Sequence, residues 1–344
     1  MVSIRLSVDG MSGDHGPSVT VDATTLSLDK YSDLEVQLVG QEDVMLPFYR
    51  LSKYRGSSRL ELKKASEVVL MDERPAAALR NKRDSSMRVA LDLVKNGECD
   101  ACVSAGNTGA LMAIARFVLH MLPGLDRPAI CSEMPSNKTP TYVLDLGANV
   151  DCDAEKLLQF AIMGSVLAAT LGGRKNPKIG LLNVGEEEIK GNEYVKKAAS
   201  MLSASDLNYI GFAEGNDIFT GMFDVIVCDG FVGNIALKAS EGAARMLTTV
   251  AKEEFQRNWV TKLGALCAMP TLKSLKRRAD PGAYNGASML GLQKTVVKSH
   301  GGADAASFSH AIGVALQEAD KDVPKMIATV LENTLVDKDA EEGK

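Results

Sequence analysis

The chain holds four histidines, and two of them, His15 and His300, lie in glycine-flanked loops with Asp14 and Asp304 close by. An imidazole in that setting suits a general base or a phosphate donor, because its proton moves near neutral pH. The alternative is a turn histidine satisfied by backbone. His120 and His310 fall in helical patterns and read as structural. Lys190 is the only cation of the loop Asn183–Asn192. It can hold a phosphate oxygen or an acyl oxyanion; its alternative is a solvated lysine paired with Glu186 or Glu187.

These residues belong to six loops rich in Gly, Asn, Asp and His: Asp9–Pro17, Ala105–Ala110, Leu146–Asp151, Asn183–Asn192, Asp229–Asn234 and Lys298–Asp304. One such loop is ordinary turn chemistry. Six of them, each after an apolar strand pattern, are expected at one end of a sheet, where helix N-termini offer N–H groups to an anion. The first choice for a phosphate cradle is Ser104-Ala-Gly-Asn-Thr-Gly109, with Ser104, Gly106, Asn107, Thr108 and Gly109 around the ligand. Asn183, Asn192, Asp229, Asn234 and His300 join the candidate binding set. The cradle is neither a Walker A loop nor a Gly-x-Gly-x-x-Gly fingerprint, so ATP and NAD lack their usual support. No Gly-x-Ser-x-Gly elbow offers a covalent nucleophile. Direct attack by a bound anion fits better.

Alternating elements must position these loops. Strand patterns cover Ile4–Asp9, Leu34–Val39, Ala101–Ser104, Tyr142–Asp145, Lys178–Asn183 and Asp224–Cys228. Helical patterns cover Pro17–Asp29, Ser85–Lys95, Thr108–Leu122 and Ala154–Leu171, with a long helix from about Asn234. Apolar strands alternating with helices predict an α/β fold with a mostly parallel sheet covered on both faces. We expect one catalytic domain over 1–335, interrupted by a helical excursion over 250–282, and a flexible tail over 336–344.

Composition narrows the class. The chain has 344 residues, a net charge of −5 and 45% hydrophobic residues, an ordinary globular make-up. The N-terminus runs straight into a strand pattern, so no signal peptide is expected. No apolar run reaches the roughly 18 residues of a membrane span. Six scattered cysteines fit reduced thiols in a cytoplasm. Cys99-x-x-Cys102 has no second pair to complete a metal set and reads as structural. No metal, organic cofactor or nucleic-acid partner is expected.

Gln256–Ala279 departs from the rest, with six basic residues, no acidic one and the single tryptophan. Trp259, Leu263 and Leu266 recur at helical spacing, and Pro270 is expected to break the helix before Leu272 and Leu275. With Arg257, Lys262, Lys273, Lys276, Arg277 and Arg278, the segment reads as a basic amphipathic helix pair facing a membrane surface or an acidic carrier protein. A dimer-packing arm is the alternative.

The loops closely resemble those of the bacterial phosphate acyltransferase (PlsX) family of phospholipid synthesis. The likeness runs from Val8-Asp-Gly-Met-Ser-Gly-Asp-His-Gly-Pro17, through Val103-Ser-Ala-Gly-Asn-Thr-Gly-Ala-Leu111, Asn183-Val-Gly-Glu-Glu-Glu-Ile-Lys-Gly-Asn192 and Cys228-Asp-Gly-Phe-Val-Gly-Asn234, to Val297-Lys-Ser-His-Gly-Gly-Ala-Asp304. It implies that a long-chain acyl-acyl-carrier protein and inorganic phosphate react to give acyl phosphate. It also implies a fold like isopropylmalate dehydrogenases and phosphotransacetylases, a homodimer, and a cytoplasmic protein attached peripherally to the membrane through a helical tip. A membrane glycerol-3-phosphate acyltransferase would take the product. On that reading phosphate sits over Gly106–Gly109 with help from Lys190 and Asn234. His15, oriented by Asp9 or Asp14, orients or deprotonates it, and Lys190, Asn192 or backbone N–H groups hold the oxyanion. The family's first loop usually reads Asp-Ala-Met-Gly-Gly-Asp-His-Gly; here Gly10 and Ser12 depart from it. The rivals are a nicotinamide-dependent decarboxylating dehydrogenase and a non-catalytic membrane scaffold.

Overall fold

Short β-branched and aliphatic runs become strands because both faces of the sheet are covered, and each run ends where a polar or small residue lets the chain turn. A computed structural model describes residues 3–279 and 281–342, with the side chains of residue 273 and of stretches 275–281 and 333–342 outside the description. The first half contains β1 (Ile4–Asp9), α1 (Pro17–Lys30), β2 (Leu34–Gly40), α2 (Glu42–Tyr49) and β3 (Leu60–Lys64). Then come α3 (Pro75–Asn81), α4 (Ser86–Lys95), β4 (Ala101–Ser104), α5 (Thr108–Leu119) and β5 (Ala129–Met134). The second half follows with β6 (Thr141–Leu144), α6 (Ala154–Thr170), β7 (Ile179–Leu182), α7 (Glu193–Ser203), β8 (Tyr209–Ala213) and β9 (Val225–Val227). Two long helices, α8 (Gly230–Gln256) and α9 (Trp259–Ala279), precede β10 (Ala287–Leu290), β11 (Thr295–Lys298), α10 (Ala305–Asp320) and α11 (Val323–Glu342).

Local chemistry starts the helices where expected. Pro17 opens α1, where a missing N–H costs nothing. The Ser85 hydroxyl accepts from Arg88 N–H at 3.3 Å, and Asp153 from Lys156 N–H at 2.9 Å. Asp304, which the sequence places close to His300, caps α10 through Ser307 N–H at 2.8 Å. Pro270 does not break α9, which continues through it. A proline removes one N–H bond, and on an exposed helix water can satisfy the carbonyl it frees. The tail expected to fray is helical as far as Glu342.

The strands form one sheet in the order β3-β2-β1-β4-β11-β10-β5-β6-β9-β7-β8. β3, β2, β1, β4 and β11 are mutually parallel, and so are β6, β9, β7 and β8. Between the two sets, β10 and β5 are antiparallel to each other and to their outer neighbours. The second set therefore runs against the first, and the expectation that all six loops share one end is corrected. An apolar strand pattern is the same whichever way the strand points, so periodicity could not report the reversal.

The first set is buried between α1 and α10 on one face, through Leu28, Phe308 and Ile312, and α4 and α5 on the other, through Met87, Leu91 and Ile114. Phe160 on α6 packs with Leu144, Ile179 and Val225 of the second set. The loop after β6 is organised by one buried carboxylate. Asp145 Oδ1 accepts from the N–H groups of Ile130, Gly147 and Ala148 at 3.0–3.2 Å. Its Oδ2 accepts from Asn149 N–H at 2.6 Å and Asn149 Nδ2 at 2.8 Å. The start of α8 presses on this knot so closely that a Cβ at Gly233 would meet the Asp145 carbonyl at 2.0 Å. Each buried donor left without a partner costs about 1–3 kcal/mol. Asp145→Ala is therefore expected to lower unfolding free energy by at least about 3 kcal/mol, measured by urea denaturation; a loss under about 1 kcal/mol would contradict the assignment.

Candidate functional site

The ends of β1, β4 and β11 bring three predicted loops into one cluster, since Lys298 lies in register with Ser104 and Val8 with Val103. Asp9 is buried at 2% exposure. Its Oδ2 accepts from Ser104 Oγ at 2.7 Å, and that hydroxyl accepts in turn from Gly106 N–H at 3.1 Å. Asp9 Oδ1 has no hydrogen-bond partner. Burial raises the Asp9 carboxyl above its ordinary value, opposed by Ser86, Ser104, the Met11 N–H and the charge of Lys298; Ser86 and Met11 stand near without hydrogen-bond geometry to Oδ1. The carboxyl makes no hydrogen bond to His15, so the expectation that Asp9 orients that ring is corrected.

The two departures in the first loop have local causes. A Cβ at Gly10 would stand 2.5 Å from Met45 Cε and 2.9 Å from the Val39 carbonyl, so an alanine does not fit this packing. Ser12 is buried, donates to the Asp9 carbonyl at 2.6 Å and accepts from Ala105 N–H at 2.9 Å. It thereby ties the first loop to the cradle. Asp14 N–H donates to the Gly301 carbonyl at 2.9 Å, which joins the third loop.

Within the cradle, Asn107 is a scaffold residue. Its Oδ1 accepts from Ala110 N–H at 3.0 Å and its Nδ2 donates to the carbonyls of Leu70, Met71 and Glu73. Ala105 and Gly106 spend their N–H groups on the two serines. Thr108 and Gly109, in the first turn of α5, are left as the outward donors. His15 and His300 are both exposed. The Gly302 N–H donates to His300 Nδ1 at 3.0 Å, so the neutral ring carries its proton on Nε2 and offers a donor there. That geometry fits His300 to holding an anion and leaves His15 as the candidate base.

Asn183, Lys190, Asn192, Asp229 and Asn234 lie on the second strand set. Among the described residues, no hydrogen bond or ion pair joins them to Asp9, His15, Ser104 or His300. Lys190 pairs with Glu187 at 2.6 Å and its side chain is 43% exposed. Asn183 donates to the Lys190 carbonyl and accepts from Val184 N–H. Asn192 caps α7 through Val195 N–H, and Asp229 caps α8 through Val232 N–H, at 2.9 and 2.8 Å. Asn234 is exposed beside Gly147. One turn further along α8, Lys238 lies near enough to Lys298 to lower its proton affinity, so α8 is the element that runs from one group to the other.

Sequence reasoning missed Lys298. Its side chain is buried at 9% exposure, and its ammonium donates to the Ser299 carbonyl. Burial, with Lys238 adding to it, lowers its pKa to about 8, while Asp9 and Asp14 act the other way. The signal available was a lysine closing the apolar strand Thr295-Val-Val-Lys298 directly before the Ser-His-Gly-Gly loop.

On the excursion, Trp259, Leu263 and Leu266 are 77%, 56% and 66% exposed. Arg257, paired with Glu254 at 3.7 Å, and Lys262 are exposed as well. The side chains of Lys273, Lys276, Arg277 and Arg278 lie outside the described residues. Among the described residues no helix is long and apolar enough to cross a membrane, and no group of three or more His, Cys, Asp or Glu could hold a metal ion.

The architecture is that of the phosphotransacetylases. The EutD phosphotransacetylase from Staphylococcus aureus superposes with a TM-score of 0.59 at 15% identity, over 92% of this chain and 94% of that one. A phosphotransacetylase from Streptococcus pyogenes gives 0.59 at 17%, with the same coverage. Residues 4–326 match the family described as fatty acid synthesis protein, and the chain belongs to that family. Phosphate acyltransferases of Nitrosococcus oceani and Methylococcus capsulatus are 54% and 55% identical to it. The first alignment covers 96% of this chain and 97% of the relative, the second 94% and 95%.

Ser12→Ala would leave the buried Ala105 N–H without a partner, at a cost of about 1–3 kcal/mol. Denaturant unfolding should show that loss, with Ser12→Thr closer to the parent; equal stability of Ser12→Ala would show that the tie is unimportant.

Proposed function

We propose that this chain transfers a long-chain acyl group from acyl-carrier-protein thioester to inorganic phosphate. The observation that carries the reading is the first cluster. A helix N-terminus with outward N–H groups, a histidine presenting Nε2–H and an imidazole with no hydrogen bond among the described residues stand on the loops that the ends of β1, β4 and β11 bring together, and those loops resemble the phosphate acyltransferase pattern apart from Gly10 and Ser12. Hydrogen phosphate sits over Thr108 and Gly109 and takes a hydrogen bond from His300. His15 draws the proton from it as a phosphate oxygen attacks the thioester carbonyl. The new C–O bond forms, the C–S bond breaks with its electron pair on sulfur, and the proton ends on the thiol. A thiolate leaves readily, so the protein's contribution is position and charge.

Lys190 and Asn234 are assigned to the developing oxyanion, Lys190 being the cation of the second group and held at present only by an exposed pair that solvent screens. The exposed apolar and basic residues of α8 and α9 support a homodimer arm and a peripheral membrane contact. Such a contact would hand acyl phosphate to a membrane glycerol-3-phosphate acyltransferase.

Purified protein with long-chain acyl-carrier protein should make acyl phosphate only when phosphate is supplied. Lys190→Ala should lower turnover at least tenfold, in the order of one lost charged hydrogen bond, without changing the unfolding midpoint. Carrier-protein binding with no acyl phosphate would favour the scaffold reading, and nicotinamide reduction would revive the dehydrogenase.

A further inference from the structure

Two aspartates close strands in this fold, and both are buried. Asp145 is answered by five donors. Asp9 is not: Ser104 meets one oxygen and the other has no partner. Lys298, whose charge acts on Asp9, is also under-satisfied. A buried ammonium loses several kcal/mol of hydration, yet among the described residues no carboxylate forms an ion pair with it, and its hydrogen bond goes to the Ser299 carbonyl. The register of β11 on β4 sets Lys298 beside Ser104, at the entry to the cradle. His300 follows two residues later in the same loop.

We propose that Lys298 is the cation of the phosphate subsite, held in its charged form by Asp9 acting as a positioning residue. A buried cation engaged in no ion pair among the described residues, and set by register beside Ser104 at the entry to the cradle, is complementary to an arriving oxyanion. Asp9 touches no ligand; its charge, fixed by Ser104, opposes the desolvation that would strip the ammonium of its proton. The charged groups around Lys298 are Asp9 on β1, Asp14 on the loop after it and Lys238 on α8. With a pKa of about 8, Lys298 loses its proton, and the subsite its cation, as pH rises through that value.

The inference rests on the transferase reading for the identity of the anion but is tested without the acyl donor. Inorganic phosphate binding is measured by calorimetry from pH 6.5 to 9.5. Lys298→Met should weaken it on the order of tenfold or more at pH 7, the loss of a charge-assisted hydrogen bond. Lys298→Arg, charged throughout, should keep binding above pH 8, where the parent loses it. Asp9→Asn should move the parent's loss to lower pH. A purely structural lysine would show none of these pH movements. Should Lys298→Met fail to fold, the Arg variant still decides. An alkaline limb shared by the parent and Lys298→Arg overturns the proposal, as does unchanged phosphate binding in folded Lys298→Met. If phosphate binds with the Lys298 limb but no acyl phosphate forms, the transferase reading falls and this one stands.

Discussion

A carboxylate buried at the end of a strand must be answered by donors or by a positive charge, because desolvation otherwise favours its neutral form. This constraint organises both halves of the molecule, with opposite results. At Asp145 the answer is complete and comes from backbone and Asn149, so the loop after β6 is a rigid knot on which α8 is seated. At Asp9 the answer is partial, through one hydroxyl and a lysine that is itself short of partners. A fully satisfied carboxylate does structural duty. The unsatisfied one marks the strand end where a ligand completes the arrangement.

The reversal of direction at β10 and β5 determines what each half can contribute. It assigns the Asp9, Ser104 and Lys298 ends to one set of strands and the Asn183, Asp145 and Asp229 ends to the other. The first set gathers donors and proton-active groups around an open helix start. Side chains of the second set are mostly spent on caps, leaving Lys190 and Asn234 at the surface. α8 links the two, carrying Asn234 beside Gly147 and Lys238 toward Lys298. Two reactants meeting between two rigid platforms is what acyl transfer to a bound anion requires.

Much of this was legible in the sequence. Apolar strand runs and capped helices marked β1, α1, β2, α4 and β4 within a residue, because burial on both faces leaves a continuous apolar signature, while the short, more exposed α2, β3 and α3 and the strand β5 went unmarked. The Gly-rich loops were legible as turns and as candidate sites. What the sequence hid was pairing. Whether an Asn or Asp in such a loop holds a ligand or its own helix cannot be read without the fold; Asn107, Asn192 and Asp304 all proved to be caps. Strand direction was invisible for the same reason. Lys298 was hidden because a lysine at a strand end is ordinarily solvated, and only its register beside Ser104 reveals that it is buried. Pro270 misled in the opposite sense, since an exposed helix can lose one hydrogen bond and continue.

The central claim is the location of the anion, and a structure of the full chain with inorganic phosphate bound tests it most directly. The account predicts phosphate over the first turn of α5, with oxygens on the Thr108 and Gly109 N–H groups, His300 Nε2 and the Lys298 ammonium. Phosphate seated instead on Lys190 and Asn192, with the α5 start empty, would contradict it.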